Sequence, residues 1–269
     1  MPPAALSILR SLPAFRAVAL CVGALLLAGS ACAAQADLAS LIDAAGRQRM
    51  LTQRIVKAYC QVGLQVTPEV SRAQLSGAIK RFDRQLVRLS ADAPNADARA
   101  AARRVAQQWR GMRQVAVGPV NRDAARRLAA RGEAVLQASQ ALVVLLENAA
   151  GTAQARLINL AGRQRMLSQR LAKLYMLRAY GVDTASIRDD LDSASREFEA
   201  ALASLRAAPE NTPAIAVELE AVALQWEWFH GAIALQGAES YALVVADASE
   251  SILTSMELIT AKYAALARR

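Results

Sequence analysis

Apolar residues recur every three to four positions along almost the whole chain after residue 37, which is the period of an amphipathic α-helix. Proline, glycine and asparagine interrupt this pattern and mark the ends of eight segments. No strands are evident, so the pattern predicts an all-α protein. The predicted helices span about Leu38–Val66, Val70–Ser90, Ala96–Val117, Asn121–Asn148, Thr152–Tyr180, Thr184–Ala208, Thr212–Leu235 and Glu239 to the end.

The fifth to eighth segments restart the pattern of the first four. AGRQRMLTQR at residues 45–54 returns as AGRQRMLSQR at residues 161–170, with nine of ten residues identical. At the same spacing of 116, residues 72–91 and 188–207 share only seven of twenty, mainly apolar positions at helical spacing. We therefore predict two tandem up-and-down four-helix bundles, at residues 37–150 and 151–269. The decapeptide also keeps polar residues that packing does not require, which is a sign of function.

The decapeptide places an arginine in the middle of an apolar stripe. At 100° per residue, Ile42 and Val56 lie close to Arg49 on the helix circumference, and Arg165 has equivalent neighbours. A guanidinium that faces a core is costly unless it is paired, because it cannot lose its proton. An anion should therefore meet Arg49 and Arg165. Arg47 and Arg54 lie on another side of the helix, where a solvated face is the simpler interpretation.

Two sources of that anion stay open. One is a carboxylate from a neighbouring helix, for which Glu147, Glu250 and Glu257 are candidates. The other is a bound small oxyanion. Gly46 and Gly162 precede their arginines by three residues, and a glycine inside a helix allows close approach of a second helix or of a ligand. Two such helices would form a small positive cavity that suits a planar oxyanion.

The first 36 residues have the pattern of a secretory signal peptide. Two arginines precede the apolar run Ala17–Ala28, and small residues offer cleavage after Ala33 or Ala36. Lipidation at Cys32 is left open. These features predict an exported, periplasmic protein, and export argues against nucleic acid as a partner even though residues 37–150 carry 18 Lys/Arg against 9 Asp/Glu.

Residues suited to catalysis or metal binding are scarce. The chain has one histidine, His230, and Cys60 is the single cysteine after the predicted leader. No metal-ligand spacing and no phosphate-binding loop is present. We therefore expect no enzymatic activity, metal or cofactor, and we interpret Trp109 and the aromatic residues of 226–229 as core.

The segments LIDAAGRQRMLTQRIVK (residues 41–57) and LINLAGRQRMLSQRLAK (residues 157–173) resemble the N-terminal sensory domain of type IV pilus methyl-accepting chemotaxis transducers. They also resemble the periplasmic domain of nitrate/nitrite sensor histidine kinases. The resemblance implies a ligand site for nitrate, nitrite or a similar anion between two first helices, lined by Gly46, Arg49, Gly162 and Arg165. It also implies supporting roles for the residues that match the later motif arginines, Arg54 and Arg170, and for Asn159. Repeat 1 departs from the motif, because it has Asp43 where repeat 2 keeps the asparagine.

The resemblance implies a binding or sensor protein that relays to a membrane-bound receptor or sensor kinase. The alternative is a structural or adaptor protein of the envelope or pilus system whose motif arginines form internal salt bridges.

The assembly depends on residues 147–152. A turn there would bring the two motif helices together as an internal pseudo-dimer. A continuous helix through this junction would stack the bundles end to end, so that each motif would need a partner chain in a homodimer. Both geometries stay open, and the tandem copies usual in the family favour the end-to-end one.

Overall fold

The computed structural model describes residues 13–182, 186–234 and 241–267, with side chains from residue 37 onward. Within these ranges the regular structure is helical, and the predicted all-α class is confirmed, with 88% helix. The helices are α1 (Pro13–Gly63), α2 (Pro68–Ala91), α3 (Ala96–Ala116), α4 (Arg122–Ala150), α5 (Ala153–Ala179), α6 (Ile187–Arg206), α7 (Pro213–Ala234) and α8 (Ala242–Leu266).

Local capping explains several of these boundaries. The side chains of Asn95, Asn121 and Thr152 each accept a hydrogen bond from the backbone N–H three residues later, at 2.8–3.2 Å. These bonds satisfy donors that a helix N-terminus leaves unpaired. Pro68 begins α2, where its missing N–H costs nothing. Asn121 is thus the N-cap of α4, at the residue where the sequence pattern predicts the fourth helix to begin.

The first helix begins earlier than predicted. It starts at Pro13 and includes most of the segment that we interpret as a signal peptide, because that apolar, alanine-rich run also favours helix. Residues 1–12 lie outside the described part of the chain, as do the side chains of residues 13–36. Across the described ranges, none of the helices combines the length and the hydropathy needed to span a bilayer.

The chain turns sharply between α4 and α5, so the end-to-end expectation is wrong. Gly151 ends α4 in the left-handed conformation, with φ of 63°, and its N–H donates to Glu147 O at 2.9 Å. Thr152 then caps α5. A left-handed glycine followed at once by a capping threonine stops the helix, although the alanines on both sides favour its continuation.

As a result, α1 and α5 lie side by side and parallel. Gly46 faces Gly162 near the start of the contact, and Gly63 meets Tyr180 at its end, so residue numbers increase together along both helices. This pair forms the most extensive helix contact of the described residues. Helix α4 packs on α1 and α8 packs on α5, while α2, α3, α6 and α7 lie outside them.

The buried apolar side chains form one continuous cluster across both repeats, where two separate bundles would have two cores. Trp109 and Trp226 stack on Phe82 and Phe198, with ring centroids 3.9 and 4.2 Å apart. One aromatic prediction is wrong: Trp228 is 81% exposed, because it points away from the face of α7 that buries Trp226. Its position therefore has no packing explanation.

Candidate functional site

The two motif glycines face each other where α1 packs on α5. A Cβ added at Gly162 would lie 3.9 Å from Gly46 Cα, 3.2 Å from Arg165 Nη2 and 3.4 Å from Arg49 Nη2. A Cβ added at Gly46 would lie within 3.5 Å of the same two nitrogens. The tips of both arginines therefore meet over the paired glycines, and larger residues there would push them aside.

The Arg49 guanidinium is buried and contacts only neutral oxygens. It donates from Nη1 to Gln140 Oε1 at 2.5 Å and from Nη2 to Asn159 Oδ1 at 2.7 Å and Asn159 O at 3.3 Å. Among the residues that the structure describes, its Nε has no hydrogen-bond partner. No carboxylate of the described residues lies within salt-bridge distance of Arg49, so its direct hydrogen-bond partners are neutral.

The Arg165 guanidinium is equally buried but does meet a carboxylate. Its Nη2 lies 2.7 Å from Asp43 Oδ1 across the helix contact. The other two guanidinium nitrogens, Nε and Nη1, have no hydrogen-bond partner in the described part of the chain. Asp43 also accepts from Arg47 Nη2 at 2.9 Å, so its charge is shared between two arginines.

A local two-fold symmetry relates these contacts. Asp43 and Asn159 are separated by the repeat spacing of 116 residues, and each faces the arginine of the other repeat. The symmetry is broken in charge, because one position is a carboxylate and the other an amide. One arginine therefore has an internal counter-ion and the other does not.

Burial and like charge act together on this cluster. Burial, followed by the neighbouring charges of Arg165 and Arg163, lowers the pKa of Arg49 to about 9. Burial also lowers the pKa of Arg165, against the opposing effect of Asp43. For Asp43 itself, burial acts to raise the pKa, but Arg165 and Arg47 outweigh it and the pKa lies below its ordinary value. All three groups are charged at neutral pH, and the positive charges outnumber the negative one.

The structure brings together Gly46, Arg49, Gly162, Arg165 and Asn159, as the resemblance implies. It does not bring the two later motif arginines to this site. Arg54 joins Lys57 on Glu250 of α8, at 2.5 and 2.6 Å. Arg170 and Lys173 join Glu133 of α4 in the same way, at 3.4 and 2.6 Å. These two clusters tie the last helix of one repeat to the first helix of the other.

The three glutamates that were candidates for pairing with Arg49 and Arg165 contact other residues. Glu250 belongs to the Lys57 cluster, and Glu257 pairs with Arg47 at 3.0 Å. Glu147 accepts a hydrogen bond from Asn159 Nδ2 and so orients the amide oxygen that Arg49 uses.

Sequence reasoning missed two residues of the site, Asp43 as a counter-ion and Gln140. The departure of Asp43 from the motif was the available signal for the first, whereas nothing in the sequence singled out Gln140.

The type IV pili methyl-accepting chemotaxis transducer N-terminal model, PilJ, matches the chain twice, at residues 32–144 and 144–250. The chain belongs to the PilJ family. The two matches correspond to the two sequence repeats, so this chain carries a tandem pair of PilJ domains.

Searches of curated proteins and of solved structures gave no match. PilJ domains are sensory domains of chemotaxis transducers and are typically periplasmic. Membership of this family implies that a signal is passed to a membrane-associated partner.

Proposed function

We propose that this protein is a sensory binding module for a small oxyanion, with nitrate or nitrite favoured, and that Arg49 and Arg165 hold the anion over Gly46 and Gly162. A change in the packing of α1 against α5 would carry the signal to the partner. The module has no enzymatic role in this proposal.

The proposal rests on the contacts of Arg49. A buried guanidinium without a carboxylate partner is costly, and buried donors without partners call for an explanation. Arg49 Nε and Arg165 Nε and Nη1 are such donors, and the Nη2 atoms of both arginines meet over the paired glycines. A planar oxyanion accepts several N–H bonds in one plane, which matches the fork of a guanidinium.

A structural role is the second candidate, and the Asp43–Arg165 ion pair favours it. In that case the arginines would only join the repeats, with Asp43 as the permanent counter-ion of Arg165. Anions would then not change the stability of the protein beyond a general salt effect.

Calorimetric titration of the exported chain with nitrate, nitrite, sulfate and acetate separates the two functions. We expect one anion per chain, and we expect Arg49→Ala to weaken binding by about 1.5–3 kcal/mol, or roughly tenfold to a hundredfold. Arg49→Lys keeps the charge but not the fork, and it should also bind more weakly while it still folds. Arg104→Ala removes an exposed arginine of α3 and serves as the control. Wild-type protein that binds none of the four anions would support the structural role.

A further inference from the structure

Helices α7 and α8 present large apolar side chains to solvent. Trp228 and Leu224 lie one turn apart on α7 and are 81% and 70% exposed. Trp228, Tyr241 and Val244 line a cleft of about 490 Å³ between the end of α7 and the start of α8. We call Leu224, Trp228, Tyr241 and Val244 the α7–α8 patch. Exposed tryptophan is uncommon, and it is enriched where proteins bind one another.

The matching surface of repeat 1 shows that the fold does not require this patch. Trp109 and Trp226 are equivalent, since each stacks on the phenylalanine of its own repeat, and they lie 117 residues apart. At that spacing Leu224 and Trp228 correspond to Gln107 and Gly111. Val244 likewise corresponds to Arg127. The same scaffold therefore folds with polar or small residues at these positions.

A second apolar feature lies in repeat 1, at the end of α1, the start of α2 and the end of α3. It is a groove of about 400 Å³, and we call it the α2–α3 groove. Val62, Ile79 and Val117 form part of its apolar lining, and Arg72 and Lys80 stand exposed beside them. The groove therefore suits an apolar group that is accompanied by negative charge.

Negative charge lies beside the patch. Glu227 lines the same cleft as Trp228, and α7 contains no lysine or arginine. The other two glutamates of α7, Glu218 and Glu220, pair with Lys262 and Arg206. The difference extends to the whole repeats: residues 37–150 carry 18 Lys/Arg and 9 Asp/Glu, and residues 151–269 carry 12 and 14. Opposite charges steer two surfaces together and fix their register.

We propose that the α7–α8 patch of one molecule docks into the α2–α3 groove of a second copy of this chain, with the Trp228 indole in the groove and Glu227 beside Arg72 and Lys80. The contact joins two different surfaces and is therefore head-to-tail. In a dimer joined in this way, one molecule keeps a free patch and the other a free groove. Further copies can therefore add to form a chain, or the ends can meet to close a ring. It involves neither Arg49 nor Arg165, so it stands independently of the anion site.

Sedimentation velocity at increasing protein concentration tests this interface. We expect the wild type to form dimers and larger species, and we expect added salt to weaken them because the charge contribution is screened. Trp228→Ala destroys the patch, and the double variant Arg72→Glu, Lys80→Glu destroys the groove. Either should weaken association by about tenfold or more. Val87→Ala, which shortens a 71% exposed side chain elsewhere on α2, should leave it unchanged.

Mixing the two defective variants gives the sharpest result. The patch of the groove variant can still enter the groove of the patch variant, so the mixture should form a dimer but nothing larger. A wild type that stays monomeric at every concentration would overturn the proposal. So would a mixture that stays monomeric, because it would show that an intact patch does not enter an intact groove. A groove variant that associates as well as the wild type would also overturn it, because it would indicate that the patch meets another patch.

Discussion

Replacing Asp43 with asparagine tests whether this carboxylate occupies the place of a ligand. In the wild type its Oδ1 lies 2.7 Å from Arg165 Nη2, and its side chain is 25% exposed. Asp43→Asn makes the position equivalent to Asn159, so that neither arginine has an internal counter-ion. An external anion would then meet two positive groups without a competing carboxylate.

The size of the effect follows from the contact that is lost. A hydrogen-bonded or ionic contact to a charged group contributes about 1.5–3 kcal/mol. Without anion, Asp43→Asn should therefore unfold at a temperature about 3–12 °C lower, given roughly 2–4 °C per kcal/mol for a chain of this size. The same free energy should reappear as tighter anion binding, by about tenfold to a hundredfold.

Thermal unfolding followed by circular dichroism, with and without nitrate, measures both effects in one experiment. An anion at about a hundred times its Kd adds about 2.7 kcal/mol of stability, so nitrate should restore much of the lost stability in Asp43→Asn. Asp92→Asn removes an exposed carboxylate of repeat 1 and should show neither effect. If Asp43→Asn is destabilised equally with every anion and binds none of them more tightly than the wild type, Asp43 is a structural counter-ion and our reasoning is wrong.

Three further predictions concern the site and its supports. Gly162→Ala should weaken anion binding in titration calorimetry, because the added Cβ lies 3.2 Å from an arginine tip, whereas Gly77→Ala, in open space on α2, should stabilise the fold by about 0.5–1 kcal/mol. Equal binding by wild type and Gly162→Ala would refute the position of the ligand. Glu250→Gln should cost about 1.5–3 kcal/mol in chemical denaturation, because it leaves the charge of fully buried Lys57 unpaired; a loss below 0.5 kcal/mol, about what a surface pair contributes, would contradict this. Burial acts to raise the pKa of Glu133, but Lys173 and then Arg170 outweigh it and hold the pKa below its ordinary 4.5. The stability that Glu133 contributes should therefore be complete above about pH 4.5 and should fall as the pH drops through the lower folded value. When the free energy of unfolding is measured against pH, it should fall less steeply on the acid side in Glu133→Gln than in the wild type. An unchanged fall would show that the titration of Glu133 does not contribute to stability.

Much of the fold could be predicted from the spacing of apolar residues and from the residues that begin and end helices. Helix boundaries at Asn121 and Thr152 could be predicted because a capping side chain acts on the backbone within three residues. The turn at Gly151 could not be predicted in the same way. The alanines around it favour a continuous helix and the glycine favours a stop, and the packing of α5 on α1 also depends on which of the two forms. The continuation of α1 toward Pro13 had a similar cause, because a leader-like apolar run and a helix share their composition.

The site was predictable in its identity but not in its contacts. The internal repeat singled out Arg49 and Arg165, since packing alone does not preserve arginine on an apolar stripe. Their partners depend on which helices lie opposite, and that is set by the tertiary arrangement. Gln140 in α4 therefore had no sequence signal, and Arg54 proved to belong to a different cluster one and a half turns further along α1.

The parallel pair α1 and α5 places both halves of the site on one polypeptide. In a symmetric homodimer every substitution appears twice, so a carboxylate that faced one arginine would necessarily face the other as well. Here a gene can change Asp43 and leave Asn159 untouched, and the two halves can specialise separately. Site formation also becomes unimolecular, because the linker through Gly151 replaces protein concentration with a fixed effective concentration. Occupancy would then depend on the amount of ligand and not on how many copies of the protein the cell makes.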